Sequence, residues 1–309
     1  MKNQFFRPLL LLALLAFAAP CCAQLPNEKF GKPSAMEWDF VGWGEAANAD
    51  AIVLCKTMKV TYRLSDQVFN ASQSNDELGY DNLQDFGKND IDNSNIVVKY
   101  EFRLRTKILK AAGGHHANVD ITYFNADNER LISRDDVTDL KVRVFTRNAK
   151  GKVEKRTVDA RTFSTERVDD NYVVLHVVVP GVEAGSIVEY QYDITSTRPT
   201  FLYDWTFQEC IPTLHSKCDI EIPAILQFNM NVPINRLIQS GVEEGRLSYD
   251  TNRPDMKKGK TCPTNHYKVS GDYILPGGEE IAPLTSRIVS PGATPPAYIP
   301  QGMTHLKIK

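Results

Sequence analysis

Val98-Lys99-Tyr100-Glu101-Phe102-Arg103-Leu104-Arg105-Thr106-Lys107-Ile108 decides the fold class of this chain. Val98, Tyr100, Phe102, Leu104, Thr106 and Ile108 alternate with Lys99, Glu101, Arg103, Arg105 and Lys107, a period of two across the whole run. Side chains of an extended backbone point alternately to opposite faces, so the run predicts a long strand with one buried and one wet face. Similar alternation recurs at Val119-Ile121-Tyr123, at Val142-Val144 and at Val188-Tyr190-Tyr192-Ile194. It continues at Phe201-Tyr203-Trp205-Phe207, Cys218-Ile220-Ile222, Phe228-Met230-Val232 and Tyr267-Val269, and a first strand is expected over residues 52–64. Residues 172–179 are nearly all apolar, as suits a strand covered on both faces.

Turn formers such as Asn148-Ala149-Lys150-Gly151 and Pro180-Gly181 separate these runs. The best helical candidate is a short segment at residues 33–43, capped by Ser34. Together they predict a mostly β protein, an antiparallel β-sandwich or pair of sandwiches with long loops and few short helices. The expected division is an arm at 24–49, a sandwich at 50–223, a further β-rich segment packing on it at 224–289, and a Pro-rich linker at 290–309 leading into a further strand. Residues 70–95, rich in Asn, Asp, Ser and Gly, read as a long loop.

The first 23 residues read as a secretory leader. Lys2 and Arg7 give a positive start, residues 9–19 are apolar, and Cys21 and Ala23 take the small-residue positions before Gln24. The apolar run is shorter than the roughly twenty residues that a permanent span takes. Export to the periplasm, the outer membrane or the medium is therefore expected, and a mature chain with no transmembrane segment. Losing the leader takes the net charge from −2 to −4, because the leader holds two basic residues and no acid. No basic stripe points to nucleic acid, and no polybasic segment to an anionic membrane.

Candidate chemistry is sparse. Cys55 ends an apolar run, and Cys262 lies in a turn-like context beside His266, so neither is expected to be an activated nucleophile. Cys210, His215 and Cys218 form a compact group with three readings: a Cys210–Cys218 disulfide, which an oxidising compartment favours, free thiols, or a zinc site completed by Cys262 or His266. His115 and His116, after Gly113-Gly114, are expected in a solvated bend between two strands. The pairs Asp135-Asp136, Asp169-Asp170 and Glu279-Glu280 read as solvated turn acids. Trp205 reads as core, and Trp38 and Trp43 as packing the arm onto the sandwich. No catalytic residue, metal or cofactor is expected within this chain.

One stretch is more specific. Val179-Pro180-Gly181-Val182-Glu183-Ala184-Gly185-Ser186-Ile187-Val188-Glu189-Tyr190 resembles a P-G-V-x-x-G-S-x-(I/V)-E-Y hairpin. That hairpin is found in the bacterial β-sandwich domain of unknown function that precedes transglutaminase-like domains in exported proteins. Asp50-Ala51-Ile52-Val53-Leu54, the turn near Gly151, and Trp205-Thr206-Phe207-Gln208 with Ile220-Glu221-Ile222-Pro223 support the resemblance, which covers somewhat over half of the mature chain. Pro180, Gly181, Gly185, Ser186, Glu189 and Tyr190 then have structural parts, with Glu189 expected to face outward. The resemblance implies a non-catalytic binding, spacing or scaffold module; the alternatives are the N-terminal part of a transglutaminase-like cysteine peptidase or cross-linking enzyme and a glycan-binding surface protein. A transglutaminase-like domain in cis or a protein or glycan ligand would be the module's partner, and any catalytic Cys-His-Asp set would lie beyond Lys309.

Overall fold

The structure, a computed structural model, describes residues 25–65, 96–126, 134–250, 261–289 and 305–309. The leader, the polar stretch 70–95 and the Pro-rich stretch 290–300 lie outside the described residues. A short helix, α1 (Ala35–Asp39), and a 3-10 turn (Gly44–Asn48) precede the strands. These are β1 (Ala51–Ser65), β2 (Ile96–Ile108), β3 (Val119–Phe124), β4 (Asp135–Arg147), β5 (Val153–Thr157), β6 (Phe163–Arg167) and β7 (Tyr172–Val177). There follow β8 (Ile187–Ser196), β9 (Thr213–Pro223), β10 (Phe228–Asn231), β11 (Ile238–Asp250), β12 (Thr261–Ile274), β13 (Thr285–Ile288) and β14 (Leu306–Ile308).

Eight strands form one sheet in the order β11-β12-β9-β1-β2-β8-β4-β5, and β14-β3-β7-β6 form a second. The β1–β9 pair is parallel, as is a short contact of Leu64 and Ser65 with the end of β11, and the other pairs are antiparallel. Tyr100, Phe102, Leu104, Val142, Val144, Tyr190 and Tyr192 of the large sheet share one core cluster with Val119, Ile121, Val177, Leu306 and Ile308 of the small one. The fold is a mostly β, sandwich-like arrangement. No helix among the described residues is long and apolar enough to cross a membrane.

The opposite face of the large sheet carries a second, smaller core. Ile52, Leu54, Phe145, Ile187 and Leu214 pack there against Met36, Trp38, Phe40 and Trp43 of the arm. A register shift in the β1–β2 ladder between Val53 and Cys55 lets one strand serve both cores. Ala51 and Val53 face the main core before it and Met58, Val60 and Tyr62 after it, so odd-numbered inward positions become even-numbered. Lys56 is thereby turned inward. Its ammonium pairs with Glu209, donates to the Thr206 carbonyl at 3.0 Å and lies 4.4 Å from the centre of the Trp205 ring.

Several expectations change. Phe201–Phe207 is not a strand: Trp205 makes one isolated bridge, to Leu284. Its aromatic residues instead anchor a connecting segment, with Tyr203, Trp205 and Phe207 buried and the Trp205 indole donating to Ser216 Oγ at 3.1 Å. The alternation there records burial rather than pairing. In β7 only Val173 and Val177 are buried, because the small sheet has one solvent-facing side. After Pro223, β12 hydrogen-bonds to β9 and continues the large sheet. The final strand exists, as β14 on the edge of β3. The Ser34-capped helix forms with a reciprocal capping box, Glu37 Oε2 accepting from the Ser34 amide at 2.6 Å.

Candidate functional site

The densest set of buried charges lies where the arm crosses the second face of the large sheet. Position 105 of β2 points to that face, and Arg105 is buried there instead of wet. Its guanidinium pairs with the carboxylates of Glu37 and Glu189, both buried. It also donates to the main-chain carbonyls of Asn27 (2.6 Å) and Lys29 (2.8 Å). Two residues on, Lys107 is buried too and donates to the carbonyls of Glu37 (3.2 Å), Trp38 and Phe40 (2.7 Å). Arg103 donates to the Glu28 carbonyl at 3.2 Å, and Glu189 Oε2 accepts the Gly31 amide at 2.6 Å. The charged half of the β2 alternation is thus wet only towards Lys99.

Electrostatics follow from burial. Burial alone would lower the Arg105 pKa, but Glu189 and Glu37 outweigh it and raise it. Burial raises the Glu189 carboxyl against the pull of Arg105, and lowers Lys107 to about 8. Beside this set, His215 Nδ1 meets Asp272 Oδ1 at 2.7 Å and its Nε2 lies 3.7 Å from Glu28, which also pairs with Lys217 at 3.3 Å. Burial works to lower the His215 pKa, yet the two carboxylates hold it up at about 9. The His215 hydrogen bond, with help from Lys217, takes Glu28 down to about 2. Cys55 lines the cleft between arm and sheet with Asn27, Glu28, Phe30, Arg105 and Glu189. Burial pushes its thiol up to about 12, which favours the protonated form at neutral pH.

The expected Cys210–Cys218 disulfide is absent: no disulfide links the four described cysteines. Cys218 faces the main core from β9, whereas Cys210 is exposed ahead of that strand, with its sulfur 3.7 Å from the Ile308 carbonyl. The hairpin that was to bring them together does not form, because the Trp205 segment does not pair with β9. His215 and Cys218, three residues apart on β9, point to opposite faces, so Cys210, His215 and Cys218 do not converge.

His115 and His116 sit in a 3-10 turn (Ala111–Ala117) between β2 and β3, their ring centres 3.9 Å apart, bonded to the carbonyls of Ala112 and Lys309. Asp169 accepts the amides of Asn171 and Tyr172 in a turn. Asp135 departs from the expected solvated turn. It is buried, receives the Tyr203 hydroxyl, and pairs at 2.8 Å with Arg198, whose guanidinium lies 4.0 Å from the centre of the Phe124 ring. Arg198 and Tyr203 lie over sixty positions from Asp135, and no local pattern announces the knot.

In the hairpin, Gly181 and Gly185 take φ values of +66° and +86°, and buried Ser186 accepts the Glu183 amide at 3.2 Å. Pro180 presents its carbonyl to Arg156 at 2.6 Å, and Tyr190 is core, its hydroxyl donating to the Ala117 carbonyl. Glu189 is the exception to the expected outward alternation, since the arm covers it. Phe124, Tyr172, Phe201 and Tyr267 are among the aromatic side chains left partly exposed.

A family model described as "Domain of Unknown Function with solved-structure structure (DUF3857)" matches residues 95–257, more than half of the chain. The chain belongs to the DUF3857 family. The DUF3857 match runs from β2 through β11 and takes in the 180–190 hairpin, Arg105, Lys107, Glu189 and His215, while the arm and β1 precede it. No curated protein matches. Among solved structures, the chain is similar to a protein of Parabacteroides distasonis described as a "putative protease", at 13% identity and a TM-score of 0.47. That likeness covers 78% of this chain and 40% of the other, so this chain spans about two fifths of that protein's length.

Proposed function

We propose that this chain is an exported, non-catalytic DUF3857 module with a binding, spacing or scaffold role, working beside a transglutaminase-like domain. The observation that carries the reading is how its ionisable side chains are used. Arg105, Lys107, Glu37, Glu189 and Asp135 hold chain to chain, and Cys55 and Cys218 are buried with their thiols pushed up. Groups spent in this way are poorly placed to attack a substrate. The hairpin and the leader-like start of the chain support the exported context.

The test has two arms. Purified chain assayed with peptide and glutamine–lysine substrates should show no turnover; turnover abolished by Cys55→Ser would sink the module reading. The gene read beyond codon 309 should encode Cys, His and Asp in that order. A stop codon after Lys309 would remove the transglutaminase partner and leave the module.

A further inference from the structure

The way the large sheet holds the arm has a consequence of its own. Four side chains of the sheet, Arg103, Arg105, Lys107 and Glu189, contact the main chain of residues 27–40. Six carbonyls and one amide are engaged in this way. Side-chain recognition is mainly acidic: Glu37 on Arg105, Glu28 on Lys217 and His215, and Asp39 on Arg147 at 2.9 Å. The apolar residues of the arm, Met36, Trp38 and Phe40, are only partly buried, whereas Glu37 is wholly buried. The arm is thus fastened by ions and main-chain hydrogen bonds more than by apolar surface. Gly42 and Gly44, at φ +112° and +43°, lie between this fastened part and β1.

We propose that the ionic face beneath the arm is a polypeptide-binding groove, filled in cis by residues 25–41, that takes the same segment from a second copy of the chain when its own arm is displaced. A second copy carries the matching carbonyls and carboxylates by identity, and exchange of identical elements is a low-cost route to association. The proposal goes beyond the module reading and stands whichever way that reading is decided.

Cys55 reports on the arm, because it is buried in the cleft under residues 27–30, whereas Cys218 and Cys262 are buried away from the arm. Alkylation of the full chain, read cysteine by cysteine by mass spectrometry, should modify Cys55 at least tenfold faster than Cys218 and Cys262. Glu37→Gln, which weakens the chain's own arm, should widen that ratio. A fluorescent peptide of residues 25–41 should bind the Glu37→Gln chain at least tenfold tighter than the wild-type chain, whose tethered arm competes at high effective concentration. The same peptide carrying Glu37→Gln should bind at least tenfold weaker. If Glu37→Gln does not fold, Glu28→Gln, at a partly exposed position, should move both readouts in the same direction by a smaller factor. Equal reactivity of the three cysteines in all chains overturns the proposal. So does a reactive Cys55 with no peptide binding, or binding indifferent to Glu37.

Discussion

Arg105 shows how much one side chain can decide. It neutralises two buried carboxylates and caps two carbonyls at once, which a lysine, with one compact ammonium, cannot reproduce. Arg105→Met leaves Glu37 and Glu189 buried and uncompensated, and should lower stability at pH 7 by about 3–5 kcal/mol in denaturant titrations. The exposed pair of Lys110 and Asp50, at 3.0 Å, offers the contrast: Lys110→Met should leave the midpoint nearly unchanged. His215 sets an alkaline limit. Its folded pKa of about 9 lies above the ordinary 6.5, so its contribution is complete below pH 6.5 and is lost as pH rises through 9. Glu28, held at about 2, contributes above its ordinary 4.5 and is lost only in strong acid. Unfolding midpoints between pH 6.5 and 9 should therefore fall in the wild type, by at most about 1.4 kcal/mol per pH unit for one proton, and stay flatter in His215→Asn.

At the scale of elements, the hairpin and the last strand carry the clearest expectations. The glycines of the 180–190 hairpin read as shape residues, and Gly181 and Gly185 take positive φ values. Gly185→Ala places a Cβ in the left-handed region and should cost about 1–2 kcal/mol although nothing lies within 4 Å of that Cβ. β14 brings Leu306 and Ile308 into the main core and sets the His305 ring 4.6 Å from Phe102 and 4.5 Å from Tyr203. Burial lowers the His305 pKa to about 4, against a hydrogen bond to the Thr122 carbonyl. With the folded value depressed, His305 supports the fold above pH 6.5, and that support is lost as pH falls towards 4. Urea midpoints measured from pH 7 to 4.5 should drop more steeply in the wild type than in His305→Leu; parallel slopes would count against this account. β11 was not legible, because Gln239, Ser240, Gly241, Glu243 and Glu244 are exposed and no apolar face marks the strand. Its place comes from eleven ladder pairs with β12.

For the whole molecule, the sheet that runs from β1 to β12 in sequence crosses the boundary expected at Pro223. Calorimetry of the full chain should accordingly show one main unfolding transition, with strands on both sides of Pro223 melting together. Two well-separated transitions would restore the division into two units. A chain cut at Pro223 would bare the edge of β9 that β12 covers, and should aggregate or fail to fold.

The sequence by itself determined the β class, the alternation that sorts residues to faces, the capped α1 and the glycine hairpin. Those features depend on local backbone preference and on a period of two, both carried by neighbours in the chain. Only the tertiary structure decided that the charged face of β2 is buried at Arg105 and Lys107, that Asp135 meets Arg198, and that Cys210 and Cys218 stay apart. Each depends on partners tens of residues away, whose arrival reverses the local preference of a charge for water. The Val98–Ile108 alternation is true as written, and its wet half is dry wherever the arm lies across it.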